Sequence, residues 1–232
     1  MKAQRLRVTF TRGDEIKYIT HLDLMRFWER ALRRAEIPVS YSEGFSPHAQ
    51  LSLAAPLPVG TTSDAELMDV YLDQPMVPRA LVEQLVPQLT AGISIASAEE
   101  VGLALPALQA DMRFAEYDVD LPADVAHEAG ARAAVESFLA AETVPWEHKR
   151  DDETKSYDIR AQVAEIDIEA AADGALRLRM RLKNDNTGSG RPEQVVAALG
   201  LPAPVRIHRR RLILAGMSPS LQARRKHGRY AD

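Results

Sequence analysis

The chain of 232 residues contains no cysteine. That excludes disulfides, iron–sulfur clusters, thiolate zinc sites and cysteine nucleophiles. A protein built this way runs no radical chemistry on a cluster of its own. No apolar run approaches the ~20 residues that a membrane span needs. The opening MKAQRLRVTF has no apolar stretch ahead of a cleavage site, so no signal peptide is expected and the expected location is the bacterial cytoplasm. Neither a Walker loop nor a dinucleotide fingerprint is present. No cofactor and no metal are expected.

Length alone allows one or two domains. The apolar share of 46% and charged share of 27% suit a globular chain. The net charge of −4 hides a strong asymmetry. Residues 1–50 carry 9 Lys/Arg against 6 Asp/Glu, whereas residues 51–146 carry 3 against 15. Residues 147–205 carry 9 against 11, and residues 206–232 carry 8 against 1. A basic end and an acidic middle point to two surfaces with different partners.

Residues 5–10 alternate as a half-buried strand. A helix is predicted over 20–36, with Thr20 as N-cap and Asp23 completing an acidic capping box. Leu22, Met25, Trp28, Leu32 and Ala35 repeat at helical spacing and form its expected inner face. A Gly/Pro loop over 40–49 leads to strands at 50–57 and 66–73, a helix at 78–89 interrupted by Pro87, and a strand at 93–98. This is a β-α-β-β-α-β order. After a linker at 102–111 the order repeats: strand 114–121, helix 123–141, strands 158–169 and 175–183, helix 192–199 and strand 205–214. The expected fold is α+β: two tandem ferredoxin-like domains with antiparallel sheets, at 1–100 and 112–214, followed by a basic flexible tail at 215–232.

Three runs in the first sixty residues form a signature: Tyr18-Ile19-Thr20-His21-Leu22-Asp23-Leu24-Met25-Arg26, Tyr41-Ser42-Glu43-Gly44-Phe45-Ser46-Pro47-His48, and Leu53-Ala54-Ala55-Pro56-Leu57-Pro58-Val59-Gly60. The chain resembles the radical-SAM-linked family, a domain of unknown function. Members are encoded beside, or fused to, a cobalamin-binding-type radical-SAM protein, often near a ribonuclease of the E/G type and ribosomal-protein genes. The resemblance is specific over 1–100 and looser over 112–214, where Lys155-Ser156-Tyr157-Asp158-Ile159-Arg160 carries it best. It implies a radical-SAM protein as partner. The tandem architecture also resembles the CRISPR repeat-processing endoribonucleases, a fold-level analogy.

Several residue groups are candidates for chemistry. Arg26, Arg30, Arg33 and Arg34 share one side of the first helix, at ~6 Å spacing that suits a phosphate backbone. The alternative is a solvated face with Glu29 pairing locally. His21 and His48 are candidates for general acid and base in metal-free RNA cleavage, for metal ligation with Asp23 or Glu43, or for structural hydrogen bonds. Phe45 either stacks on a base or pins its loop to the core. Gly188, Ser189, Gly190 and Arg191 lead into a helix, as a phosphate cradle or a plain loop.

In the second half, Arg177, Arg179, Arg181 and Lys183 alternate with apolar residues, as do Arg206, His208 and Arg210. The ferredoxin-like order places Glu116, Asp118 and Asp120 between these rows. On that reckoning six permanent cations meet three carboxylates and the face stays basic. No standard RNP aromatic motif is present, so an ordinary RRM is excluded.

The leading expectation is a non-catalytic accessory protein of a radical-SAM enzyme, binding tRNA or rRNA and presenting it for modification or processing. The alternatives are a metal-independent endoribonuclease using His21 and His48, and a protein–protein scaffold without a nucleic-acid role.

Overall fold

The computed structural model describes residues 2–123, 128–150, 153–170 and 175–216. The expected basic tail beyond 216 and the turn at Asp173-Gly174 lie outside the described residues. The architecture is mixed α+β, with a large and mostly antiparallel sheet and few helices.

In chain order the elements are β1 (Gln4–Arg12), α1 (His21–Arg34), β2 (Leu51–Leu53), β3 (Thr62–Leu72), α2 (Pro78–Leu85), β4 (Ile95–Glu100), α3 (Leu108–Asp111), β5 (Met112–Asp120), α4 (Glu128–Ala140), β6 (Pro145–Arg150), β7 (Glu153–Asp158), β8 (Val163–Ala170), β9 (Leu176–Asp185), β10 (Gly188–Ser189), α5 (Pro192–Ala198) and β11 (Arg206–Leu214). The main sheet runs β10-β9-β5-β11-β3-β1-β4, with β2 on β3 and β8 on β9, while β6 and β7 form a separate hairpin. Two separate four-stranded sheets are expected from the sequence. Instead, β11 pairs in parallel with the start of β3, His208 facing Thr62 and Arg209 facing Ser63, and joins the strands into one sheet.

α1 forms where its cap dictates. The Thr20 hydroxyl accepts from the Asp23 amide, and the Asp23 carboxylate accepts from the Thr20 amide. Its buried side is Leu24, Trp28, Ala31 and Leu32. Leu22, expected to face inward, is instead exposed, because the stripe that meets the sheet is centred on 24–28–31. Trp28 is fully buried, edge-on to Phe10 with ring centroids 4.9 Å apart. Leu81 and Leu85 of α2 join the same core, and Pro87 ends the helix in a short 3₁₀ turn.

β1 is not the half-exposed strand its alternation suggests. Leu6, Val8 and Phe10 enter the core with α1 and α2. On the opposite face Arg5 and Arg7 both bind the fully buried Asp69. The Arg5 guanidinium also donates to the carbonyls of Leu105 (3.0 Å) and Pro106 (2.9 Å), so the linker closes this face. The α3 side chain Gln109 then donates to the Leu53 carbonyl at 2.7 Å.

The second core gathers α4, α5, β5, β8, β9 and β11 around Tyr117, Leu178, Met180 and Val195. The predicted strand at 158–169 is two elements: β7 ends at Asp158, and β8 starts at Val163 after a 3₁₀ turn. At the junction of the halves, Arg209 is buried and bonded to Glu66, and it donates to the carbonyls of Ala55 (3.1 Å) and Pro56 (3.3 Å). Arg12, equally buried, holds the carbonyls of Leu57, Lys17 and Ile19. The Ala-Ala-Pro-Leu-Pro segment of the signature is therefore gripped by two buried guanidiniums through carbonyls that lie outside the named strands.

Candidate nucleic-acid interface

Among the described residues two sets of arginines each share one face, and their electrostatics differ. The first is the sheet face of the second half. Register places Arg177 opposite Asp120, Arg179 opposite Asp118 and Arg181 opposite Glu116, with β11 on the far side of β5. A register shift after Arg209 turns both Arg210 and Arg211 toward the same carboxylates. Arg177 binds Asp120 at 2.6 Å, Arg181 binds Glu116 at 3.0 Å, and Arg211 binds Glu116 at 2.5 Å. Arg206 lies 3.5 Å from Asp120, and Arg179 and Arg210 each lie 3.8 Å from Asp118.

The expected basic surplus on this face is not there. β8 lies beyond β9 and adds Glu165, Asp167 and Glu169 opposite Arg181, Arg179 and Arg177. Two of them close ion pairs at 2.6 Å, Glu165 with Arg181 and Glu169 with Arg179. Lys183 is 3.9 Å from Asp185. Even with Arg211 added, the cations meet a carboxylate each, and the face is a compensated ladder. Burial disfavours the charged form of Glu116, but bonds from Arg211 and Arg181 outweigh it and hold the carboxyl below its usual range. Asp120 behaves in the same way, with Arg177 and Arg206 as its partners.

His208, on the same face of β11, is enclosed at the junction. Its Nδ1 is 2.7 Å from the Thr62 hydroxyl and its Nε2 is 3.1 Å from Asp64. The bond from His208 is the main reason that the Asp64 carboxyl sits below its usual range.

The second set lies on α1. Arg26, Arg30, Arg33 and Arg34 are all exposed. Arg26 stands 4.0 Å from Asp23. Arg30, Arg33 and Arg34 form no ion pair among the described residues, so the local pairing with Glu29 that the alternative reading called for is not seen there. The helix that carries them is fixed by its buried side and its capping box.

The loop before β2 is a small hairpin. Tyr41 bridges to Ala49, the Ser42 amide donates to the His48 carbonyl at 2.9 Å, and the His48 amide donates to the Ser42 hydroxyl at 3.0 Å. At its tip Gly44 adopts φ +121°, a conformation that a side chain would strain. Phe45 beside it is wholly exposed and does not pin the loop to the core. His21 and His48 are both exposed, and neither imidazole is hydrogen-bonded among the described residues. Asp23 is engaged by the cap, and no group of three or more His, Asp or Glu side chains among the described residues is arranged to hold a metal.

The glycine loop does not present free amides as a cradle. Gly188 and Ser189 pair with Asp185 and Asn184, and the Gly190 amide donates to the Lys183 carbonyl at 2.8 Å. Asp185 takes the Thr187 amide at 2.8 Å, so that amide is also engaged within the loop. Gly190 is closely packed, since a Cβ there would lie 3.0 Å from the Gln162 carbonyl oxygen. Arg191 precedes α5 as its N-cap without a side-chain cap bond.

No helix among the described residues is long and apolar enough to cross a membrane. Among solved structures the chain is similar to a component of an H/ACA RNP bound to a substrate RNA containing 2'-deoxyuridine, with TM-score 0.44, 9% identity, and coverage of 89% of this chain and 46% of that one. It is also similar to a component of a Cbf5-Nop10-Gar1 complex, with TM-score 0.49, 8% identity, and coverage of 91% and 49%. The chain thus spans about half the length of these solved chains. No curated protein matches it in sequence. A family model does match, over residues 5–192, from β1 through the first residue of α5, and the chain belongs to that family, described as an uncharacterized protein conserved in bacteria (DUF2344).

Proposed function

We propose that the protein is a non-catalytic accessory protein that binds RNA, tRNA or rRNA, along the outer side of α1 and presents it to a radical-SAM partner in the cytoplasm. The observation that supports RNA binding is the contrast between the two arginine sets. Each arginine of the sheet face has a carboxylate within 4.0 Å, whereas Arg30, Arg33 and Arg34 have none among the described residues. Arg33 and Arg34, in the last turn, gain from the helix dipole, but Arg26 and Arg30 do not. Like charges four residues apart cost a helix ~0.2–0.5 kcal/mol per pair. Stability therefore gives no reason for the row, while a chain of phosphates does, since guanidiniums grip phosphate oxygens bidentately.

The radical-SAM partner follows from the family resemblance and agrees with the absence of cysteine, which leaves any cluster to the partner. Much of the acidic charge of 51–146 is spent on internal pairs, Glu66 and Asp69 in the interior and Glu116, Asp118 and Asp120 in the ladder, so that region does not offer one acidic face to the partner. The strand orders β4-β1-β3-β2 and β11-β5-β9-β8 support reading 1–100 and 112–214 as ferredoxin-like units fused edge to edge.

The test is RNA binding as a function of salt, with the triple variant Arg30→Gln/Arg33→Gln/Arg34→Gln beside Arg179→Gln/Arg181→Gln/Arg210→Gln. The α1 variant should lose affinity, and its log–log salt slope should fall by ~0.7 per lost single-strand phosphate contact. The sheet-face variant should keep the wild-type slope. An α1 variant that folds and binds RNA with unchanged affinity and slope refutes the proposal.

A further inference from the structure

The signature hairpin is not used by the arginine row, and it borders a cleft of about 580 Å³. That lies within the ~300–1,000 Å³ range of small-ligand sites. Its lining includes Ser40, Tyr41, Glu43, Gln50, Asp73 and Lys2. The walls are fixed from both sides: the Ser40 amide donates to the Tyr71 carbonyl at 2.7 Å, and the Gln50 amide donates to the Ser40 carbonyl at 2.7 Å.

Ser40 is only 4% exposed, yet its hydroxyl has no hydrogen-bond partner among the described residues. A buried hydroxyl left unpaired costs stability, and with its oxygen covered Ser40 belongs to the wall of the cleft. Tyr41 keeps half of its surface exposed at the rim. Two carboxylates, Glu43 and Asp73, line the cleft with one ammonium, Lys2, whose Nζ lies 4.0 Å from the centroid of the Tyr71 ring. The excess of negative charge disfavours phosphate and favours a ligand rich in N–H donors. Gln50 offers both a donor and an acceptor. An aromatic face, carboxylate acceptors and an amide are the groups that read the edge of a splayed base.

We infer that this cleft takes one unpaired, amino-bearing nucleobase of single-stranded RNA, stacked on Tyr41, with its exocyclic amine donating to Glu43 or Asp73. The wholly exposed Phe45 at the hairpin tip stacks on the neighbouring base. The inference rests on the RNA-binding reading above and sharpens it: the arginines hold the backbone, and the hairpin selects single strands carrying adenine, cytosine or guanine over uracil, which has no exocyclic amine.

The experiment uses the full chain and fluorescence anisotropy with 12-nucleotide oligo(A), oligo(C) and oligo(U) and an RNA duplex at neutral pH. The wild type should bind oligo(A) and oligo(C) more tightly than oligo(U) or the duplex. Tyr41→Ala should weaken oligo(A) about tenfold without changing the salt slope, because stacking on an aromatic residue is worth ~1–3 kcal/mol per base. Tyr41→Phe should restore binding. Glu43→Gln with Asp73→Asn should erase the preference over oligo(U). Equal wild-type affinity for the three oligonucleotides, or unchanged oligo(A) binding by a folded Tyr41→Ala variant, overturns the cleft assignment. If the α1 variant still weakens binding in that case, the RNA reading stands. Absence of salt-dependent binding to every probe overturns both. The base preference is read on the wild type, so the test does not depend on any variant folding.

Discussion

Glu66→Ala leaves a buried guanidinium without its counter-ion, and the cost follows from the surroundings of Arg209. Arg209 is 1% exposed, and Glu66 is its ion-pair partner among the described residues. Burial opposes the Arg209 cation, but the adjacent Glu66 carboxylate outweighs it and raises the pKa above the ordinary arginine value. Without Glu66 burial acts unopposed by a carboxylate, yet the intrinsic basicity of a guanidinium keeps Arg209 charged at pH 7. Its contacts to the Ala55 and Pro56 carbonyls and to Tyr117 are dipolar and do not neutralise it. Breaking a buried pair from one side costs ~3–5 kcal/mol. In a domain of this size each kcal/mol lowers the melting temperature by ~2–4 °C, so the expected drop is about 6–20 °C. Circular dichroism melts and urea titrations at pH 7 measure it. Glu66→Gln, which keeps an acceptor, should lose less. A Glu66→Ala variant within ~1 kcal/mol of wild type would show that water reaches Arg209 and that the junction is not a buried electrostatic lock.

Trp28→Ala empties the centre of the first core, where the ring is fully buried against Phe10 and Phe27, and should cost ~3–5 kcal/mol in urea unfolding. The acid limb of stability should reflect Glu116. Its folded pKa is depressed, so its contribution is complete above the unfolded carboxylate range of ~4 and is lost as pH falls through the folded value. Unfolding free energy measured from pH 6 downward should therefore decline below about pH 4, and Glu116→Gln should flatten that decline.

The parts of the fold that were legible in the sequence were those set by local rules. Thr20 and Asp23 marked the start of α1, Pro87 marked a break in the last turn of the helix expected to reach 89, and the alternation of β9 placed four cations on one side. The parts that escaped depend on tertiary context. Arg5 and Arg7 alternate with apolar residues like any half-exposed strand, and nothing local shows that the linker covers them. The run His208-Arg209-Arg210-Arg211 has no period, because a register shift sends Arg209 inward and Arg211 outward. The hairpin of β6 and β7 is rich in charged residues and, among the described residues, its strands pair with each other alone, so it shows neither helical nor strand periodicity. At the candidate interface, the α1 row was visible as spacing. Its lack of partners was not, and neither were the β8 carboxylates that cancel the sheet face. The Ser40 hydroxyl had no sequence signal at all.

The parallel pairing of β11 with β3 also has a consequence for synthesis on the ribosome. The strand that closes the edge of β3, and the arginine that neutralises Glu66, belong to residues 206–214 and emerge after every other described strand. Until then the start of β3, ahead of its pairing with β2, carries an open edge, and Glu66 is a carboxylate whose buried position is unfinished. Open edges of this kind invite wrong pairing between chains. Completion of the last strand is thus the step that commits both halves together, and a chain stopped short of β11 would be a substrate for chaperones and proteases rather than a half-size protein.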